Sequence, residues 1–164
     1  MKNIVFYIGF AFLVFGCNNV ENNKRSEKKV TLTFAVKNGQ ITQDWRNALK
    51  RRMSTKMLDS FSKISRPVTQ EELDWKNLIA SKLEKWNTFR DSLKIPFENI
   101  ALPDSIVILL GFNGRDDAFT YKNNTVCFDV SALSHAYGSA KKKVNDNRID
   151  RIFSHEFTHL LSKK

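Results

Sequence analysis

The residues His155-Glu156-Phe157-Thr158-His159 constrain the fold more than any other part of the sequence, because their two histidines come together when the segment is helical. Residues four apart in a helix lie about 40° apart around its axis, so both imidazoles project from one side. A separate arc of the same helix is apolar and is formed by Ile149, Phe153, Phe157, Leu160 and Leu161. We therefore predict a helix that begins near Asp146, with one face in the core and a distinct shoulder carrying both histidines.

The residue types on this shoulder are those of a zinc site. Imidazole nitrogens are common zinc ligands, and zinc lowers the pKa of water toward neutrality. Glu156 projects beside the histidines, where a carboxylate can take a proton from water. We predict that His155 and His159 bind Zn²⁺ and that Glu156 is the catalytic general base.

By these residues the chain resembles the zincin metallopeptidases, in particular the gluzincins. The expected order of elements is also that of the zincin N-terminal lobe: helices, an apolar strand, a short hairpin and the active-site helix. The resemblance implies a zinc-dependent enzyme that hydrolyses peptide bonds in a peptide or protein substrate. It also implies an edge strand that pairs with extended substrate, for which residues 117–121 are the candidate.

A catalytic zinc usually takes three protein ligands, and the motif supplies two. In metzincins a glycine and a third histidine follow the second histidine, but here Ser162 holds the glycine position and the sequence ends at Lys164, which excludes that subclass. In gluzincins the third ligand is a glutamate on a later helix. Its absence here has three explanations, namely a C-terminally incomplete domain, an upstream ligand, or lost activity.

The three explanations for the missing ligand lead to different expectations. Incompleteness is favoured, because Leu160 and Leu161 form an apolar helix end that needs more chain against it. The upstream candidates are His135 and Asp129, although an exposed loop position is the simpler interpretation of His135. Lost activity would leave a non-catalytic lipoprotein that binds a partner or an envelope component.

The N-terminus predicts export. Residues 4–15 form an apolar run after Lys2 that is too short to span a bilayer, which needs about 20 residues. Residues 13–17 resemble a bacterial lipobox, which implies removal of residues 1–16 and a lipid on Cys17. The residue after Cys17 is Asn18, whereas an Asp at this position favours inner-membrane retention in some bacteria. We expect a protein anchored in the cell envelope, at the outer membrane.

The cysteine content and the distribution of charge argue against an intramolecular disulfide and against nucleic-acid binding. With Cys17 lipidated, Cys127 is the other cysteine, so no intramolecular disulfide is expected and Cys127 should be a buried apolar residue. The net charge of +10 comes from scattered basic residues, which predicts a solvated surface and no nucleic-acid binding.

The remaining sequence predicts a single α+β domain over residues 30–164, joined to the lipid by a polar tether over residues 17–29. Two helices should come early, one over residues 42–64 and a second that begins at Thr69 with a capping box and stops near Pro96. A small twisted sheet with a hairpin should follow. Its elements are a strand over 30–36 with a turn at Asn38-Gly39, an apolar strand over 106–110, short strands over 118–121 and 125–130, and a helical turn ending near Gly138. The three tryptophans should lie in the core: Trp45, Trp75 and Trp86.

Overall fold

The computed structural model describes residues 29–93, 95, 100 and 103–162. The predicted signal peptide, Cys17 and nearly all of the predicted tether lie outside these residues. Within them the fold is α+β, as predicted, with a four-stranded sheet, a two-stranded hairpin and helices on both sheet faces. The strands are β1 (Lys29–Phe34), β2 (Val36–Lys37), β3 (Gln40–Ile41), β4 (Ser105–Gly111), β5 (Ala118–Tyr121) and β6 (Thr125–Asp129). The helices are α1 (Gln43–Leu49), α2 (Thr55–Ser62), α3 (Gln70–Leu93), α4 (Val130–Tyr137) and α5 (Lys143–Ser162).

The main sheet has the strand order β1-β4-β6-β5. The strands β1, β4 and β6 are parallel, and β5 runs antiparallel to β6 with Ala118 opposite Phe128. Among the described residues β6 is the only strand that pairs with β5, so β5 forms one edge of the sheet. The hairpin of β2 and β3 turns at Asn38 and Gly39, which both have positive φ, as the predicted turn requires.

The two faces of the sheet are covered by different helices because side chains alternate along each strand. On one face α3, α4 and α5 pack on a large core that includes Ile106, Ile108 and Val126. On the other face α1 and α2 pack on a smaller cluster that includes Leu109 and Cys127. The three tryptophans are fully buried, as predicted. Cys127 is buried too, and burial raises the pKa of its thiol far above the usual range.

The prediction of one helix over residues 42–64 is wrong. Helix α1 ends at Leu49, and α2 begins at Thr55 with Ser54 as its N-cap, whose hydroxyl accepts a hydrogen bond from the Met57 backbone. The apolar spacing continues across this break, so it could not reveal the interruption. Ile64, the last apolar residue of the predicted helix, lies outside α2 and is 40% exposed.

The second predicted helix is confirmed at its start. The backbone N–H of Thr69 donates to Glu72 (2.8 Å), and the backbone N–H of Glu72 donates to the Thr69 hydroxyl (3.3 Å). This reciprocal pair is the capping box that the sequence predicts, and α3 begins at the next residue, Gln70. Its last residue is Leu93, before the expected end near Pro96.

The C-terminal helix is longer than predicted. Helix α5 begins at Lys143 instead of near Asp146, which lies in its first turn and pairs with Lys82 (2.6 Å). Leu160 and Leu161 are 2% and 1% exposed within the large core, so the expectation that they lack cover is wrong. Helix α4 also exceeds the single turn expected, with Asp129 as N-cap and Gly138 at its end. No helix of the described residues is long and apolar enough to cross a membrane.

Candidate metal centre

Helix α5 is fixed against α3 by the side opposite its histidines. The rings of Trp86 and Phe153 stack in parallel with centroids 4.1 Å apart. The indole N–H of Trp86 donates to Asp150 (2.7 Å), whose carboxylate also binds Lys85 (2.6 Å). Because α5 is buried on this side, its shoulder with His155 and His159 stays at the surface, as predicted.

The two histidine side chains come together on that shoulder. The Nε2 atoms of His155 and His159 lie 3.1 Å apart, and the ring planes are nearly perpendicular at 89°. In a tetrahedral zinc site, nitrogens at about 2.0–2.1 Å from the metal lie about 3.3–3.4 Å from each other. The separation of the two nitrogens is therefore within a few tenths of an ångström of that in a zinc site.

Glu156 completes this cluster. A carboxylate oxygen of Glu156 and the two imidazole nitrogens lie within 4.8 Å of one another. The side chain is half-buried, and burial raises the pKa of its carboxyl group, against the opposing charges of His159 and His155. Imidazole nitrogens are donors that suit zinc, and the carboxylate is close enough to share a water molecule with an ion held by the two histidines.

The cluster lies in an open cleft between α5 and β5. Two depressions meet at Glu156, with volumes of about 380 Å³ on the side of His155 and about 270 Å³ on the side of His159. The first is lined by Asp117, Arg148, Arg151, Ile152, His155 and Glu156. The second is lined by Arg52, Ala118, Phe119, Thr120, Glu156 and His159. The edge strand thus forms one wall of the cleft, and residues 117–121 are at a sheet edge beside the motif, as expected from their order in the chain.

Asp117 belongs to the predicted edge segment, but the sequence did not indicate a role for its side chain in the site. Its carboxylate accepts hydrogen bonds from the Ala118 backbone N–H (2.8 Å) and from the Tyr137 hydroxyl. The bond to Asp117 raises the pKa of Tyr137. Asp117 also lies close enough to Glu156 for its charge to raise the pKa of that carboxyl group.

Three arginines at the cleft were also missed. Arg52 reaches the cleft from the segment between α1 and α2, where it binds Asp116 (2.6 Å) and lies over the Phe119 ring (5.4 Å). No local pattern could connect Arg52 with a motif so distant in the chain. Arg148 and Arg151 could have been found, because they precede His155 by seven and four residues and so share its side of the helix.

The two upstream candidates for a third ligand are not brought to the histidines. Asp129 is fully buried and accepts hydrogen bonds from the backbone N–H groups of Gly114, Ser131 and Ala132 and from the Ser131 hydroxyl. Its role is therefore to cap α4 and to hold the preceding loop. His135 lies exposed in the last turn of α4, on a helix and not in a loop. In the part of the chain that the structure describes, the cluster contains only His155, Glu156 and His159.

No family model, curated protein or solved structure matches this chain.

Proposed function

We propose that this protein is a zinc-dependent metallopeptidase, held in the cell envelope by a lipid on Cys17. The observation that carries the proposal is the approach of two imidazole nitrogens to 3.1 Å beside the Glu156 carboxylate, in an open cleft. Peptides or proteins outside the cytoplasm are its proposed substrates.

His155 and His159 would hold the ion through Nε2, as neutral imidazoles. A bound zinc ion supplies Lewis acidity, which acidifies water and polarises a carbonyl oxygen. Glu156 takes the proton from the attacking water and delivers it to the leaving amine. Half-burial suits this role, because burial raises the pKa of the carboxyl group while the side chain still lines the cleft.

The edge strand β5 would bind extended substrate by main-chain hydrogen bonds. The Asp129 backbone N–H donates to the Asp117 carbonyl (3.0 Å), so the peptide groups of residue 117 face β6. Alternation along an antiparallel strand then directs the carbonyl group of Ala118 to the outer side, toward the cleft. Ala118 is thus the proposed first point of contact with the substrate main chain.

Replacing Glu156 by Gln tests the catalytic step. The amide has nearly the same shape but cannot accept the proton, so peptide cleavage should fall at least about a hundredfold while zinc content is unchanged. Cleavage of a peptide library and metal analysis on the same samples provide the readout. Glu84→Gln makes the same chemical change at an exposed position of α3 and should leave cleavage unchanged. Full activity of Glu156→Gln would refute the assigned role.

A second function is favoured by one observation, the lack of a third protein ligand in the cluster of described residues. In that case the protein is a non-catalytic lipoprotein that binds a partner or an envelope component. The wild-type protein separates the two functions. Zinc uptake without cleavage of any library peptide would favour the binding protein.

The anchor has its own test. Cys17→Ser removes the thiol that would carry the lipid, so we expect the protein to move from the membrane fraction to the soluble fraction and to lose labelling by fatty acid. Cys127→Ser changes the buried thiol and serves as the control for labelling. Membrane association and labelling that survive Cys17→Ser would exclude this anchor.

A further inference from the structure

The depression on the side of His155 carries two guanidinium groups. Arg148 and Arg151 lie three residues apart on α5, and helical geometry places them within about 40° of His155 around the axis. Arg151 is one turn before His155, about 6 Å along the helix. An extended peptide advances about 3.3 Å per residue. A group held by Arg151 would therefore lie one or two residues from the bond cleaved at the metal pair.

Arg148 is held in place by its neighbours. Its guanidinium lies 4.3 Å from the centre of the Tyr137 ring and donates to the side-chain oxygen of Asn145. Asn145 is fully buried and is fixed in turn by a hydrogen bond to the Ser139 carbonyl (2.8 Å). A guanidinium that is already ordered loses little conformational entropy when it binds a ligand.

Arg151 contributes a charge that is available for a ligand. It is exposed, and its side chain makes no hydrogen bond or ion pair with any other residue that the structure describes. Asp117, the acidic residue on the opposite wall, already accepts hydrogen bonds from Tyr137 and Ala118. Ile152 also lines this depression and adds an apolar surface to it.

We propose that Arg148 and Arg151 form a carboxylate-binding subsite, which selects substrates with an acidic group one or two residues from the cleaved bond. The fork of N–H donors on a guanidinium matches the two oxygens of a carboxylate. The carboxylate is either an Asp or Glu side chain or the C-terminus of the peptide. This inference rests on the proposed peptidase function, because it assigns part of the same cleft to the substrate.

Binding of fluorescent peptides to the zinc-loaded Glu156→Gln protein tests the subsite without cleavage. The peptides differ at one position, Glu, Gln or Lys, and each has a free or an amidated C-terminus. We expect the Glu peptide or the free C-terminus to bind about five- to tenfold more tightly than its neutral counterpart. Tighter binding of the free peptides than of the amidated peptides identifies the terminal carboxylate. Tighter binding of the Glu peptide than of the Gln peptide, with either terminus, identifies the side chain.

Variants of Arg151 assign the preference to a residue. Added to the same background, Arg151→Glu should abolish the preference and favour the Lys peptide, whereas Arg151→Lys should retain part of it, because charge remains without the fork. Lys143→Glu makes the same charge change at an exposed site on the same helix, outside the cleft, and should keep the wild-type preference. An equal loss in Lys143→Glu would overturn the subsite in favour of a general charge effect.

The remaining outcomes separate the subsite from the peptidase function. Equal binding of the Glu and Gln peptides, together with equal binding of the free and amidated forms, would overturn the subsite even if the wild-type protein cleaves all of them. If the preference depends on Arg151 but the wild-type protein cleaves no peptide, carboxylate binding by Arg151 is supported and the peptidase function is refuted. Failure of the Glu156→Gln protein to bind any peptide would overturn the subsite, and absence of cleavage by the wild-type protein as well would overturn both.

Discussion

Individual residues of the site differ in how far the sequence could reveal them. His155, Glu156 and His159 lie within five residues of one helix, so helical geometry alone predicts that they meet. Asp117 and Arg52 reach the same cleft from a strand edge and from a segment between two helices. Their positions depend on tertiary packing, which cannot be predicted from the spacing of residues along the chain.

Gly111 is another residue whose role depends on packing. A Cβ added to it would lie 2.1 Å from ring atoms of Trp45, which is fully buried and whose indole N–H donates to the Phe112 carbonyl (3.0 Å). Neither the ring nor the strand can move away cheaply. The absence of a side chain at this position is therefore needed for α1 to lie against β4.

We predict that Gly111→Ala lowers the free energy of unfolding by about 1–3 kcal/mol through overpacking. Denaturant titration followed by tryptophan fluorescence measures the change. In a Trp45→Leu background the same substitution should cost less, because the ring that it meets is gone. Equal costs in the two backgrounds would show that the indole is not the cause.

The end of a helix was predicted best where side chains nearby in sequence bind its free backbone N–H groups. The capping box at Thr69 and Glu72 marks the start of α3 at the predicted place, because each residue satisfies a backbone N–H of the other. The break between α1 and α2 was missed because apolar residues recur at helical spacing on both sides of it. Its signal was Ser54, a cap inside an apparently continuous pattern.

Glu72 also connects α3 with the preceding loop. The Arg66 guanidinium donates to both of its oxygens (2.8 and 2.5 Å) and lies over the Phe112 ring at 4.3 Å. Burial by itself raises the pKa of Glu72, but the hydrogen bonds from Arg66 and Thr69 outweigh it, so the net pKa is lowered. The folded protein therefore holds this carboxyl group's proton less tightly than the unfolded chain does.

This difference predicts how stability depends on pH. The stabilisation from Glu72 is complete above its unfolded pKa, about 4.3, and is lost as the pH falls through the lower folded pKa. Glu72→Gln should cost about 2–3 kcal/mol at neutral pH and much less in acid. Unfolding midpoints from pH 7 to pH 3 provide the measurement, with Glu84→Gln as the exposed control on the same helix. A pH-independent cost would show that the ionised carboxylate is not what stabilises the helix start.

For the whole molecule, the fold class and the order of elements along the chain were predictable, but the order of strands in the sheet was not. The order of helices, apolar strand, hairpin and final helix follows from hydrophobic periodicity, and it is confirmed. The strand order β1-β4-β6-β5 was not predicted, because the pairing of Val30 with Ile106 joins segments distant in sequence. That order makes β5 an edge, and this edge strand forms one wall of the cleft beside the motif.

The proposed function depends on a zinc ion held by two side chains. Metal analysis of the purified protein after dialysis against zinc, compared with His155→Ala, His159→Ala and His135→Ala, tests this directly. We predict about one zinc per chain in the wild-type protein and in His135→Ala, since His135 lies exposed on α4 away from the cluster. His155→Ala and His159→Ala should lose it while remaining folded by circular dichroism. A wild-type protein without zinc, or zinc retained after removal of either motif histidine, would show that this cluster is not a metal centre.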